Sequence, residues 1–388
     1  MRVALISWES LAGPSWTEGS VVVSDTAAAL AAHGAQVHVF TGRGPRQAPE
    51  VARDGALYHR CRHDSSGDVW SFGRAAAYRL AECEREGRFG VVHGFGWPAV
   101  GALSELRRAG RRGLVWSVAG EQPASGRPAW LEEAAEGEVR SPQHPEEFAD
   151  RVIVPCAEAR ERFLEQWRAR EDLVEVIHPG VDPGWAGEPV DPATVKARYG
   201  MGVYDPMLLC PSPLSAQGRP GLALDAMPQV LERHPEAKLV FAGDGELRGH
   251  LADRAQVLGV QGAVRLPGEP GPEELGRLCQ ACDAVLLPER AREYGGFVLE
   301  AWAVGKPAVA ARSHAGATFI WHEVTGYVAE DSSDGLAEGV LWMLADFDRC
   351  RWVGGNGRRA VEEAFGWPAV AARLLACYQS VGQNERTQ

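Results

Sequence analysis

Short runs of apolar and β-branched residues alternate with longer stretches of helical periodicity along the whole chain. In the first half the apolar runs predict strands at Val3–Ile6, Gln36–Phe40, Ala56–Cys61, Val91–His93, Gly113–Ser117, Val152–Pro155 and Val174–Ile177. The periodicity between them predicts helices at Asp25–His33, Ser71–Glu86, Pro98–Arg108 and Ala157–Ala169. The pattern breaks at His178-Pro-Gly-Val-Asp-Pro-Gly184, too rich in Pro and Gly to continue any element, and resumes after Tyr204-Asp-Pro206. Strands are then predicted at Met207–Cys210, Lys238–Ala242, Val264–Leu266, Ala284–Leu287 and Ala308–Ala311. Helices are predicted at Arg219–Arg233, Glu246–Leu258, Pro272–Cys282 and Gly296–Val304, with a helical tail at Ser333–Asp346, Arg349–Ala364 and Trp367–Ser380. This alternation is the signature of an α/β fold with doubly wound parallel sheets, here two Rossmann-like halves joined near residues 178–204.

Composition narrows the class. The chain has 388 residues with 40 Lys+Arg against 52 Asp+Glu, a net charge of −12 that argues against binding nucleic acid by phosphate neutralisation. A hydrophobic fraction of 45% with 24% charged residues fits a globular protein, and the length suits two domains. No apolar run approaches the roughly 18 residues of a membrane helix, and Met1–Ile6 leads straight into a strand pattern. A cytoplasmic protein with no integral membrane segment is expected. The eight cysteines lie mostly in apolar segments and are expected to be buried; Cys279-Gln-Ala-Cys282 has redox-motif spacing but ends a helical pattern with no second pair to complete a zinc site. The 45 glycines follow apolar runs, which places them in strand-to-helix turns.

In doubly wound sheets, ligands sit beyond the carboxyl ends of the strands, where helix amino termini offer free N–H groups. The candidate turns are Trp8-Glu9, Thr41–Gly44, His93–Trp97, Ser117–Glu121, Pro211–Gly218, Gly243–Glu246, Pro288–Gly296 and Arg312–Thr318. Two domains facing a central cleft would enclose such a site.

Seven strings, in order and spacing, carry a family resemblance: Met1–Leu11, Gly34–Thr41, Val174–Asp182, Leu239–Glu246, Asp283–Pro288, Phe297–Pro307 and Trp321–Tyr327. Together they resemble the GT-B glycosyltransferases of family 4, retaining enzymes that use a nucleotide sugar, and the resemblance covers nearly the whole chain. It implies an acceptor-side domain over 1–180, a nucleotide-sugar-side domain over 181–364 and a final segment, 365–388, that packs back on the first domain. It also implies a nucleotide sugar or nucleoside diphosphate as ligand, with no cofactor and no metal.

The family's chemistry-bearing positions are altered one by one. Its members hold the donor diphosphate with an arginine and a lysine in a Gly-Arg-Leu-x-x-x-Lys-Gly turn; here Pro211-Ser-Pro-Leu-Ser-Ala-Gln-Gly218 puts Ser212 and Gln217 in those places. The family's paired glutamates have seven residues between them; Glu300 matches the second, Arg292 falls on the first, and Glu293 is one residue off register. The glycine-rich turn after the first strand corresponds to Thr17-Glu-Gly19, where a glutamate opposes phosphate binding. At the place of the first-domain histidine the candidates are Phe95 and Ala119, neither able to move a proton, while His93 two residues earlier reads as a packed core histidine. The donor-binding candidates that remain are Arg219, Gly243, Glu246, Arg292, Glu293 and Glu300; Arg290 and Arg312 lie in neighbouring turns.

Losing one preorganised donor typically costs about 2.7–4 kcal/mol of transition-state stabilisation, so several losses together point to a degenerate, non-catalytic member. Such a protein would assist an active glycosyltransferase partner, act as a homo-oligomer or bind a glycan. Two other readings stay open: an active retaining transferase with a rearranged site using Arg219, Arg292, Glu293 and Glu300, and a nucleotide-binding regulatory module held through Glu300. Among 13 tryptophans, Trp16 in a Gly/Pro/Ser loop is expected to contact a partner or glycan, with most of the others in the core. The acidic stretch Glu132–Glu138, with Glu146 and Glu147 beyond it, reads as a solvated face.

Overall fold

The computed structural model describes residues 1–8, 18–44, 47–62, 69–118, 144–290 and 296–383. The chain divides into two compact units, Met1–Gly180 with Trp367–Gln388, and Val181–Gly366.

The first unit holds strands β1 (Arg2–Ser7), β2 (Gln36–Gly42), β3 (Glu50–Arg53), β4 (Ala56–Cys61), β5 (Val91–Phe95), β6 (Leu114–Ser117), β7 (Arg151–Val154) and β8 (Val174–Val176). They form one sheet in the order β3-β4-β2-β1-β5-β6-β7-β8, parallel except for β3, which runs antiparallel to β4. The strands feed helices α1 (Glu18–Ala32), α2 (Val69–Cys83), α3 (Pro98–Arg108) and α4 (Ala157–Trp167). Alternation along the strands sends Ala4, Ile6 and Phe40 to a core with α2 and α3, and Val3, Leu5 and Val39 to a core on the other face with α1. That second face is completed by the last helix of the chain, which spans Trp367–Gln383 and buries Val370, Leu374 and Tyr378 there. Burial on both faces is why these strands read as continuous apolar runs.

Strand β3 was not in the predicted set, because all four of its residues are exposed and carry no apolar pattern. Its hairpin is made by Asp54-Gly55, both at positive φ (51° and 78°), the backbone that a two-residue hairpin turn requires. Helix α1 begins at Glu18, seven residues before the predicted start. Glu18 and Gly19 therefore belong to a helix and not to the glycine-rich turn expected of Thr17-Glu-Gly19, of which Thr17 lies outside the described residues.

The second unit has α5 (Pro192–Arg198), then β9 (Met207–Cys210), α6 (Pro220–Arg233), β10 (Lys238–Ala242), α7 (Arg248–Val257), β11 (Val264–Gly268), α8 (Pro272–Ala281), β12 (Ala284–Leu287), α9 (Gly296–Ala303), β13 (Ala308–Ala311), β14 (Gly326–Ala329), α10 (Ser333–Leu344) and α11 (Phe347–Ala360). Its sheet is wholly parallel, in the order β11-β10-β9-β12-β13-β14. One face carries Leu208, Cys210 and Leu286 under α6 and α10, the other Leu209, Val285 and Leu287 under α8 and α9. The chain-terminal helix, α12 (Trp367–Gln383), returns to the first unit. Two short elements were missed: β14, four residues long, and α5, which opens with Asp191 accepting from the Ala193 and Thr194 amides before Pro192. Arg219 is not the first helical residue but the cap before α6, at a left-handed φ of 44°.

All eight cysteines are free and buried, Cys279 and Cys282 among them. Among the described residues, no helix is long and apolar enough to cross a membrane.

Candidate functional site

In the second unit the strand order reverses between β9 and β12, and the turn leaving β9 carries Ser212, Gln217 and Arg219 beside the β10 turn with Gly243 and Glu246. The β9 turn is shaped by glycine: a Cβ on Gly218 would lie 1.9 Å from the Pro213 carbonyl oxygen. Gly243, after β10, is equally confined, since a Cβ there would meet the Ser212 carbonyl at 2.3 Å. The two turns are laced by backbone bonds, the Leu214 amide donating to the Asp244 carbonyl (3.0 Å) and the Leu247 amide to the Leu214 carbonyl (2.9 Å). A third turn joins them where the Arg290 amide donates to the Gln217 carbonyl (3.4 Å). The glycines of Gly243-Asp-Gly-Glu246 thus have a packing role that needs no ligand.

Charge in these turns is mostly paired. Arg219 donates from Nη2 to the Ser313 hydroxyl (2.7 Å) and lies 3.6 Å from the Asp331 carboxylate. The Ser313 amide donates to the same Asp331 oxygen (3.1 Å). Partial burial works to raise the Asp331 pKa, but the Ser313 donors and Arg219 outweigh it and hold the carboxyl below its ordinary range. Arg312, after β13, is bonded to Glu330 (2.6 Å). His314, almost fully buried, accepts the Gly316 amide at Nδ1 (3.0 Å), which leaves the proton on Nε2, facing Glu289 at 3.3 Å.

Ser212, where the resemblance expects the arginine, is buried. Gln217, at the lysine position, is exposed, as is Glu246. Asp244 pairs with Arg248 at 3.5 Å. Glu300 sits half-buried on α9, where its carbonyl accepts the Trp185 indole N–H (2.8 Å). Arg292 and Glu293 lie outside the described residues, as do Ala119, Trp16, Trp130 and the acidic stretch 132–138. Of the acids beyond that stretch, Glu147 accepts the His144 amide (3.0 Å) in a short turn.

In the first unit His93 and Phe95 stand on β5, one on the other with ring centroids 4.1 Å apart. His93 is fully buried and bonded on both nitrogens, Nδ1 to the Tyr378 hydroxyl of α12 and Nε2 to the Ser117 hydroxyl of β6, each at 2.7 Å. Burial pushes its pKa down to about 3, so it is a neutral, hydrogen-bonded core residue, as the sequence suggested. Trp97, Trp116 and Trp302 are likewise core, whereas Trp321 and Trp352 are 75% and 53% exposed.

Sequence reasoning passed over Glu289 and Ser313, His314 and Asp331. The first three lay inside turns it had marked, and Asp331 follows β14, the strand it did not read.

A family model described as Glycosyltransferase Family 4 matches residues 19–185, and one described as Glycosyl transferases group 1 matches residues 205–346. The chain is a glycosyltransferase family 4-like protein. An uncharacterized glycosyltransferase of Methanocaldococcus jannaschii is 30% identical to this family 4-like chain over 238 residues, 59% of each protein. The chain spans about three fifths of the length of that relative and of a GDP-mannose-dependent alpha-(1-6)-phosphatidylinositol monomannoside mannosyltransferase of Mycobacterium tuberculosis that is also 30% identical. A D-inositol 3-phosphate glycosyltransferase of Thermobispora bispora is 27% identical over 385 residues, covering 92% of this chain and 89% of that protein. Among solved structures, Anabaena HepE in complex with UDP superposes with a TM-score of 0.75 at 18% identity, over 98% of this chain and 100% of that one. The fold is GT-B, with two Rossmann-like parallel-sheet domains, and the protein is of the family 4 glycosyltransferase type.

Proposed function

We propose that this family 4-like protein is a degenerate glycosyltransferase that does no sugar transfer itself and acts by assisting an active glycosyltransferase or by binding a glycan. The observation that carries the reading is the state of charge at the switch point. The family's arginine position holds the buried Ser212, the lysine position holds Gln217, and the nearby Arg219 is already engaged by Ser313 and Asp331. A departing nucleoside diphosphate needs fixed cations, and in this turn none stands at the places that supply them. Calorimetric titration of the purified chain with uridine, guanosine and adenosine diphosphate sugars, together with an assay for transfer and donor hydrolysis, tests it. No saturable binding and no turnover are expected; robust transfer or hydrolysis overturns the reading. Binding without turnover would move the assignment to a nucleotide-binding regulatory module held through Glu300.

A second reading is favoured by the Arg290–Gln217 backbone bond, which sets the start of the 290–293 run beside the lost lysine position. There Arg292 and Glu293, with Arg219 and Glu300, would form a remodelled site of an active retaining transferase. In that case Arg292→Ala weakens nucleoside diphosphate binding far more than nucleoside binding.

A further inference from the structure

Away from the switch point, the face of the first sheet that packs on α2 and α3 carries a cluster of metal-ligating atoms. His38 and Phe40 alternate onto that face from β2, and His59 and Cys61 do so from β4, its neighbour in the sheet. Cys83 closes the cluster from the last residue of α2. The ligand atoms of His38, His59 and Cys83 lie within 4.8 Å of one another and all three residues are buried. His38 Nδ1 is 2.9 Å from His59 Nε2, and Cys83 Sγ is 3.8 Å from the same nitrogen.

We propose that His38, His59 and Cys83 form a zinc site with three protein ligands and an open fourth position. With Zn–N near 2.0–2.1 Å and Zn–S near 2.3 Å, tetrahedral geometry asks for about 3.3 Å between the nitrogens and about 3.6 Å from sulfur to nitrogen. The cluster reaches this by opening the nitrogen–nitrogen separation by about 0.4 Å, closing the Cys83–His59 one by about 0.2 Å, and closing the third, Cys83 to His38, from within 4.8 Å by at most about 1.2 Å, shifts that side-chain rotation supplies. The donor set, two imidazoles and a thiolate, suits Zn²⁺.

The surroundings are those of a metal site. His59 Nδ1 is 2.9 Å from the Glu50 carboxylate, the carboxylate–imidazole arrangement that fixes a ligand's tautomer and directs its Nε2 lone pair inward. Glu50 is itself held by Arg79. Glu50 also lines an open cavity of about 590 Å³ with Arg60, Cys61, Arg62, Tyr78 and Arg79, which leaves the three ligands themselves buried behind it. Zinc is held by a thiolate, so binding displaces the Cys83 thiol proton to solvent as the Zn–S bond forms.

Cobalt(II) reports on such a site directly. Titrating the full-length chain with Co²⁺ is expected to give one equivalent with a thiolate-to-metal charge-transfer band, displaced by Zn²⁺, with a rise in Tm. The band is lost in Cys83→Ser and kept in Cys61→Ser. X-ray absorption on the zinc-loaded wild type needs no variant to fold, and should show one sulfur at about 2.3 Å with nitrogens at about 2.0 Å. A folded wild type that takes up neither ion, a band that survives Cys83→Ser, or a shell without sulfur overturns the site.

Discussion

Arg219 donates to the Ser313 hydroxyl at 2.7 Å, so the cation nearest the β9 turn is spent on the end of β13. Gln217, two residues earlier, is exposed on the turn where the resemblance leads one to expect a lysine. Gln217→Lys is therefore expected to change stability by less than about 0.5 kcal/mol, as surface substitutions do. It should also raise affinity for a nucleoside diphosphate by roughly tenfold or more, because one hydrogen bond to a charged group contributes about 1.5–3 kcal/mol. Calorimetry of wild type and variant against UDP, GDP and ADP at one ionic strength checks both. No gain for any of the three would show that this turn does not face a phosphate.

The glycines of the same turns separate packing from ligand contact. Gly218→Ala drives a Cβ to within 1.9 Å of a backbone oxygen, and Gly243→Ala to within 2.3 Å. Each is expected to destabilise by about 1–3 kcal/mol or more, since backbone on both sides must move. Gly221→Ala, in α6 with nothing within 4 Å of the new Cβ, should instead stabilise by about 0.4–1 kcal/mol. Urea unfolding of the three variants at neutral pH measures the contrast, and equal effects would refute the packing role.

The second unit also contains an ion pair with a buried lysine and a partly buried aspartate that is open to a cycle of substitutions. Lys196 Nζ, from α5, lies 2.9 Å from the Asp283 carboxylate and 2.8 Å from the Asp205 carbonyl, and the Met207 amide donates to that carboxylate at 2.7 Å. The pair fastens the starts of β9 and β12, the strands on either side of the switch point. Lys196→Met strands a carboxylate and should cost about 3–5 kcal/mol, while Lys196→Met with Asp283→Asn should recover part of it. Denaturation midpoints of the four species give the coupling, and simple additivity would mean that the pair does not act as one.

Both sheets were legible because their central strands are buried on two faces and so appear as uninterrupted apolar runs. Elements without that signature were not: Glu50–Arg53 is fully exposed, although Asp54-Gly55 offered a hairpin signal for it, and Gly326–Ala329 opens on a glycine that interrupts its apolar run. Alignment of strings marked positions 212, 217 and 292 as altered and Glu300 as retained. It had no means of finding Arg219 against Asp331, 112 residues apart in sequence, or His59 against Cys83, 24 apart, since only the order of strands in the sheet brings such pairs together. His93 was read correctly as core for a local reason, its place at the end of an apolar strand pattern.

His93 and Tyr378 tie α12 to the sheet of the first unit, and the tie has a pH dependence whose sign follows from burial. The folded pKa of His93 is about 3 against an ordinary value of 6.5, so the unfolded chain binds the extra proton and the folded one resists it. Its contribution to stability is complete above pH 6.5 and is lost as pH falls from there toward 3. By pH 5 the loss from this one residue is about 2 kcal/mol relative to pH 7. His93→Gln removes the titrating group, so its unfolding free energy should fall less between pH 7 and pH 5 than that of wild type, by about that amount. Tyr378→Phe keeps the imidazole but strips Nδ1 of its partner; it should cost about 1–3 kcal/mol at pH 7 and leave the slope toward acid in place. Urea unfolding of the three proteins at both pH values, with hydrogen exchange of the α12 amides as a local probe, distinguishes the two effects. A His93→Gln variant as acid-sensitive as wild type would show that other groups carry the proton uptake.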